Sequence, residues 1–170
     1  MNALLSFYRG ESTNPEGRKL KDIWIWQRDR LENVHNYIQW LFPLPEPSRF
    51  NATAPLLDEE VIQAFLSNKE LRKRLLRSFK LMLDFYGLQC VTSKELGVQI
   101  SKADNFNSRK PFWLRPMNHN HLRITRILRS LTLLGLSAYS KAFLICLQEL
   151  YQEDLKAIDP KTMGFWGKAV

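Results

Sequence analysis

Apolar residues recur at helical spacing along most of the chain, and the breaks fall at glycine and proline. Leu71, Leu75, Phe79, Met82 and Tyr86 gather on one arc at 100° per residue, with Lys73, Arg77 and Lys80 on the opposing one. The preceding "SNKE" reads as a capping box, Ser67 as cap and Glu70 reaching back. Gly87 stands where a left-handed residue ends a helix, so the pattern predicts one strongly amphipathic helix up to Tyr86. A shorter helix precedes it, capped by Asp58 and running to about Phe65, with Glu59 and Glu60 in its first turn. After a break at Gly135, Ala138, Ala142, Phe143, Ile145, Cys146 and Leu150 predict a last helix over about 137–155. Phe165 and Trp166, beyond Pro160, are expected to fold back on the body.

Toward the N-terminus the apolar runs are shorter. In "RKLKDIWIWQRDRLENVH", Leu20, Ile23, Trp24, Leu31 and Val34 fit one helix. In "HNYIQWLF", Val34, Tyr37, Ile38 and Leu41 share one side, while His35 and Gln39 share another, four residues apart. Pro43, Pro45, Pro47 and Pro55 make residues 43–57 a Pro-rich connection. "VTSKELGVQI" fits a short helix or a strand pair. "DNFNSRKPFWLRPM" reads as a loop around Pro111 and Pro116, bringing Phe112 and Trp113 beside Arg109, Lys110 and Arg115. Such a loop either binds or plugs the core. The sum is an all-α single compact domain over residues 1–170, with five to six helices, a Pro-rich connection and an aromatic-basic loop.

One stretch, "NHNHLRITRILRSLTLLGL" at 118–136, carries most of the candidate chemistry. On a helix starting near Asn118, Ile124, Ile127, Leu128, Leu131 and Leu134 form the core face. His119, Arg123 and Arg126 line up as a stripe through i+4 and i+3 steps, whereas His121 points well away. H-x-H suits a strand, not a helix, and zinc needs three or four ligands where only His35 remains to help. No metal site is expected. A stripe of guanidinium groups at a helix N-terminus suits a phosphate, a peptide C-terminus or an acidic side chain. Pairing of Arg123 and Arg126 with carboxylates of a neighbouring helix, with Asn118 as a cap, fits the same residues.

Charge sharpens this picture. The formal net charge of +8 is concentrated in residues 69–129, where fourteen Lys/Arg face four Asp/Glu. Residues 1–68 carry seven against nine, and residues 130–170 balance. A polyanionic partner and a solvated basic face both fit this asymmetry. Nucleic-acid binding by the 69–129 surface is therefore an alternative, without an RRM, KH, zinc-finger or clear helix-turn-helix signature to support it. No P-loop, G-x-S-x-G, Rossmann glycine set or H-E-x-x-H is present. An enzyme acting on a phosphorylated substrate, with His35 or His119 as acid–base, stays the second alternative. Cys90 and Cys146 fit reduced thiols. No apolar run reaches bilayer length, and the start is no signal peptide. These features describe a soluble intracellular protein, cytoplasmic or nuclear, without a cofactor.

Four segments together, "FYRG" at 7–10, "HNYIQWLFPLPEP" at 35–47, "LMLDFYGL" at 81–88 and "HNHLRITRILRSLTLLGL" at 119–136, resemble the signature blocks of the opioid growth factor receptor conserved domain. The resemblance covers nearly the whole chain. It implies an all-helical domain and, from the animal members, binding of an enkephalin-type peptide and growth inhibition at the nucleus. The chain is expected to be a stand-alone domain without the receptors' C-terminal repeat region. His121 stands where the family is expected to have asparagine. Matching positions are Arg9, His35, Tyr37, Gln39, Trp40, His119, Asn120, Arg123, Thr125 and Arg126, none of them catalytic. With Trp113 from the aromatic-basic loop added and Thr125 set aside, these are the candidate binding residues. His35, Gln39, Arg123 and Arg126 are expected to line a polar groove for a peptide or protein.

Overall fold

The structure is a computed structural model that describes residues 2–170. The chain gathers into two compact units, Met1–Ser78 and Phe79–Val170. It is mostly helical, with ten helices among the described residues and a two-stranded antiparallel sheet. The all-α expectation is corrected by that sheet, and the five to six helices by shorter, more numerous ones.

The first unit opens on α1 (Ala3–Arg9), whose first turn is capped by the Asn2 side chain accepting from the Leu4 and Leu5 amides. Gly10 closes the helix at φ +80. Where one helix was expected over 18–34, two short ones form, α2 (Leu20–Ile23) and α3 (Arg28–Asn33). Tertiary contacts override local propensity here. Trp24 is drawn to Ser78 by an indole hydrogen bond of 2.9 Å and lies under Arg77. Trp26 turns inward onto Tyr37, and Ile25 between them is left 74% exposed. α4 (Ile38–Leu41) is a single turn. Residues 34–37 are not helical, so His35 and Gln39 share no helix face, a second correction. The Pro-rich connection loops out and returns, its ends held by a Leu57 N–H bond to the Leu44 carbonyl at 3.0 Å.

α5 (Glu59–Ser67) is capped by Asp58 as its sequence predicts. The following cap is Asn68, not Ser67: the Asn68 carboxamide oxygen accepts from the Glu70 and Leu71 amides. Ser67 instead donates back to the Gln63 carbonyl, the local bond open to a serine in a last turn. α6 (Lys69–Tyr86) follows, and its residues up to Ser78 belong to this unit. The unit's core is aromatic. Tyr8 stacks edge-on to Phe65 and donates to the Leu41 carbonyl, and Phe7 meets Trp40 at 5.1 Å. Burial raises the Tyr8 phenol above its ordinary range, so it stays a neutral donor.

The second unit begins with the rest of α6, which ends at Gly87 with φ +77 as expected. β1 (Leu88–Ser93) and β2 (Gly97–Lys102) then pair antiparallel, Leu88 opposite Lys102 and Ser93 opposite Gly97. Of the two readings of "VTSKELGVQI", the strand pair is the one formed. The expected loop around Pro111 is α7 (Phe106–Trp113), with Pro111 inside it. Two buried anchors hold this short helix, Trp113 donating to the Tyr86 carbonyl at 2.8 Å and Arg109 to the Phe85 carbonyl at 2.8 Å. α8 (Asn120–Leu133), α9 (Ser137–Glu153) and α10 (Pro160–Ala169) complete the unit. α8 packs on α9 and α10, and α9 also covers β2. The five leucines and isoleucines assigned to the α8 core face are fully buried.

Candidate functional site

In the second unit the α8 stripe divides by depth. His119 is exposed and Arg126 half-buried, whereas Arg123 is buried. Behind the surface lies a polar relay. The Asn118 side chain donates to the Phe112 carbonyl at 2.9 Å and accepts from the Asn120 amide at 2.9 Å. The Asn120 side chain, wholly buried, accepts from Arg123 at 3.3 Å. This relay satisfies the Asn120 amide, one of those that a helix start leaves open, beside His119. Trp113 is fully buried against Tyr86, the core-plug alternative for that residue. Phe112 next to it is half exposed and stacks over Arg109 at 4.5 Å.

His121 does not point to solvent. It is 5% exposed, its Nε2 lies 2.9 Å from the Trp113 carbonyl, and its ring meets Trp166 edge-on at 5.5 Å. Burial lowers its pKa below the ordinary 6.5; the Trp113 carbonyl opposes that shift and the neighbouring His119 adds to it. The unfolded chain then binds the His121 proton at a higher pH than the folded one does. Stability is fully present above about pH 6.5 and is lost as pH falls from there through the folded pKa. The expected result is a Tm that drops between pH 7.5 and 5.5 in the parent, with a shallower drop in His121→Asn. Parallel profiles would remove His121 as the cause.

In the first unit, Tyr37 and Trp40 are core residues. The Tyr37 hydroxyl donates to the Leu31 carbonyl at 2.9 Å and Trp40 packs on Phe7. Gln39 is buried and accepts a long 3.5 Å contact from Asn51 of the Pro-rich connection. His35 is exposed in the segment between α3 and α4. Arg9 is exposed at the end of α1 and lines a cleft of about 460 Å³ with Lys21, Lys73, Arg74 and Arg77. Gly10, Leu20 and Trp24 complete its wall. Arg74 donates to the Tyr8 carbonyl at 2.9 Å, and Arg77 lies 4.3 Å over the Trp24 ring. Of these five cations sequence reasoning named Arg9 alone as a site residue, and Lys73, Arg74 and Arg77 only as part of the basic 69–129 surface. The i, i+3 and i+4 spacing of Lys73, Arg74 and Arg77 was a usable signal; nothing local marks Lys21. A larger cleft of about 820 Å³ in the same unit has mixed charge: Arg18 and Arg30 lie 5.1 and 4.1 Å over the Trp26 ring, and Asp22 and Asp29 also line it.

Among the described residues no three His, Cys, Asp or Glu side chains gather as a metal site. Among the described residues no helix is long and apolar enough to cross a membrane. Both cysteines are free; burial, with the Glu149 charge, pushes the Cys146 thiol up to about 12, which leaves it inert as a nucleophile.

Comparison with known proteins gives the relationship. The family described as the opioid growth factor receptor conserved region matches residues 1–170. The opioid growth factor receptor of Mus musculus is 47% identical over 139 residues, 79% of this chain and 21% of that protein. The Homo sapiens receptor is 43% identical over 139 residues, 79% of this chain and 20% of that protein. Opioid growth factor receptor-like protein 1 of Xenopus tropicalis is 38% identical over 135 residues, covering 77% and 25%. The matched region thus spans about a fifth to a quarter of the length of these relatives. No solved structure matches. The chain belongs to the opioid growth factor receptor conserved-region family.

Proposed function

We propose that this chain is a peptide- or protein-binding module and that α8 presents the anchor for an acidic group of its ligand. The relay from the Phe112 carbonyl through Asn118 and Asn120 to Arg123 carries this reading. A buried, hydrogen-bonded row beneath His119 and Arg126 holds the helix start in one geometry, so ordering it costs little when a ligand arrives. Arg126 supplies the charge, and His119, two turns earlier on the same stripe, a further donor. Relatives named as receptors for an opioid growth factor support a peptide as the ligand.

Calorimetry against enkephalin-like and acidic peptides tests the reading. Arg126→Ala is expected to weaken binding about tenfold, the size of one charge-assisted hydrogen bond. Unchanged affinity in the Arg123→Ala, Arg126→Ala double variant removes the proposed anchor. Nucleic-acid binding is the competing outcome. It predicts that DNA or RNA binds where peptides do not, with affinity collapsing as salt rises.

A further inference from the structure

The cation-lined cleft of the first unit is independent of α8 and has a composition of its own. Its lining residues include five cations and no carboxylate. Lys73 pairs with Glu70 at 2.7 Å, both side chains being exposed. Glu70 is held below its ordinary range by Lys73 first, then by Lys69 and Arg74, so it stays ionised and offsets one charge. Two of the remaining cations, Arg74 and Arg77, are held in place by the fold. Arg74 is tethered to the Tyr8 carbonyl, and a Cβ on Gly10 would sit 3.2 Å from the Arg74 guanidinium. Glycine at this position therefore both accepts the left-handed turn and leaves the guanidinium its place. Arg77 rests on Trp24, whose indole is tied to Ser78.

Like charges so gathered repel one another in a concave, partly desolvated setting, and an anion that bridges several of them relieves that repulsion. One carboxylate offsets one cation. A phosphate monoester brings about two negative charges and three acceptor oxygens, and guanidinium forks match it bidentately. About 460 Å³ is room for a small ligand, and Trp24 and Leu20 offer an apolar wall beside the charges. We propose that this cleft binds two adjacent phosphoryl groups of a small ligand, a pyrophosphate or bisphosphate unit, through Arg9, Lys21, Lys73, Arg74 and Arg77.

Calorimetry of the full chain with inorganic pyrophosphate at low salt tests this. Arg9 and Lys21 are exposed and neither donates within the fold's described hydrogen bonds, so Arg9→Gln, Lys21→Gln keeps the structure. The double variant is expected to lose pyrophosphate affinity about tenfold or more, and Glu70→Gln to bind about threefold tighter. Succinate is expected to bind at least about tenfold more weakly than pyrophosphate, by the same charge-assisted bond scale. A nucleoside diphosphate and an inositol bisphosphate identify the source of the phosphoryl pair. Tighter binding of either supports the site and says what the apolar wall accommodates. Three results overturn the proposal: no pyrophosphate binding at low salt, unchanged affinity in the double variant, or equal affinity for succinate. Binding of a nucleic acid polymer without pyrophosphate binding overturns it as well. Loss of peptide binding in an α8 variant with pyrophosphate binding intact would separate the two sites.

Discussion

Gly87→Ala is expected to cost roughly 3 kcal/mol of stability, a large share of what a domain of this size has. Two independent penalties add. At φ +77 the alanine would sit in the left-handed region, at a cost of about 1 kcal/mol. Its Cβ would also lie 2.7 Å from the Phe106 Cα and 2.9 Å from the Arg109 Cβ, closer than carbon atoms tolerate. Relieving that overlap moves α7, whose Arg109 bonds the Phe85 carbonyl and lies over the Phe85 and Phe112 rings, and overpacking of this kind costs about 1–3 kcal/mol. Gly97 provides the control. Its φ is +67, yet nothing lies within 4 Å of where a Cβ would go, so Gly97→Ala is expected to cost only about 1 kcal/mol. Thermal unfolding of both variants checks this. A loss in Gly87→Ala no greater than in Gly97→Ala would show that close approach to α7 contributes nothing.

The contrast between these glycines shows where local sequence suffices. Gly87 is readable as a helix end because the apolar arc from Leu71 to Tyr86 is unbroken up to it. That α7 then crosses within reach of its backbone depends on Phe106 and Arg109, twenty residues on, and no local pattern announces it. α8 behaves likewise. Its core face follows from a period of 3.6 because Ile124, Ile127, Leu128 and Leu131 are all large and apolar. Its polar positions were placed by angle alone, and angle does not give depth. Arg123 and exposed His119 share a stripe, yet Arg123 is buried because neighbouring elements cover that part of the helix. His121 lies off the stripe by angle, and its burial depends on Trp166, forty-five residues later. One helical pattern becomes the two short helices α2 and α3 because Trp24 and Trp26 are drawn to different partners. The basic cleft shows the same limit, since α1, α2 and α6 each contribute cations to it.

Trp166→Ala is expected to be the most damaging single substitution in the second unit, at roughly 3–5 kcal/mol. Trp166 is fully buried, and on α10 only Ala169 shares that burial. A ten-residue helix with a two-residue buried face keeps its place through that one indole. The ring packs edge-on to His121, and its Nε1 donates to the His121 carbonyl at 3.1 Å. Trp166→Phe keeps most of the packing and drops the donor, so it is expected to lose about 1 kcal/mol beyond its smaller area. The two variants therefore separate packing from hydrogen bonding. With the indole gone, α10 is expected to detach before the rest of the unit unfolds, exposing Lys161 and Lys168 to trypsin faster than sites in α8. Loss of the cover also admits water to His121. Its pKa then returns toward 6.5, and the fall of Tm below pH 6.5 flattens in Trp166→Ala as it does in His121→Asn. If Trp166→Ala loses stability yet keeps the parent's pH profile, the indole is packing alone and the desolvation of His121 arises elsewhere in the unit.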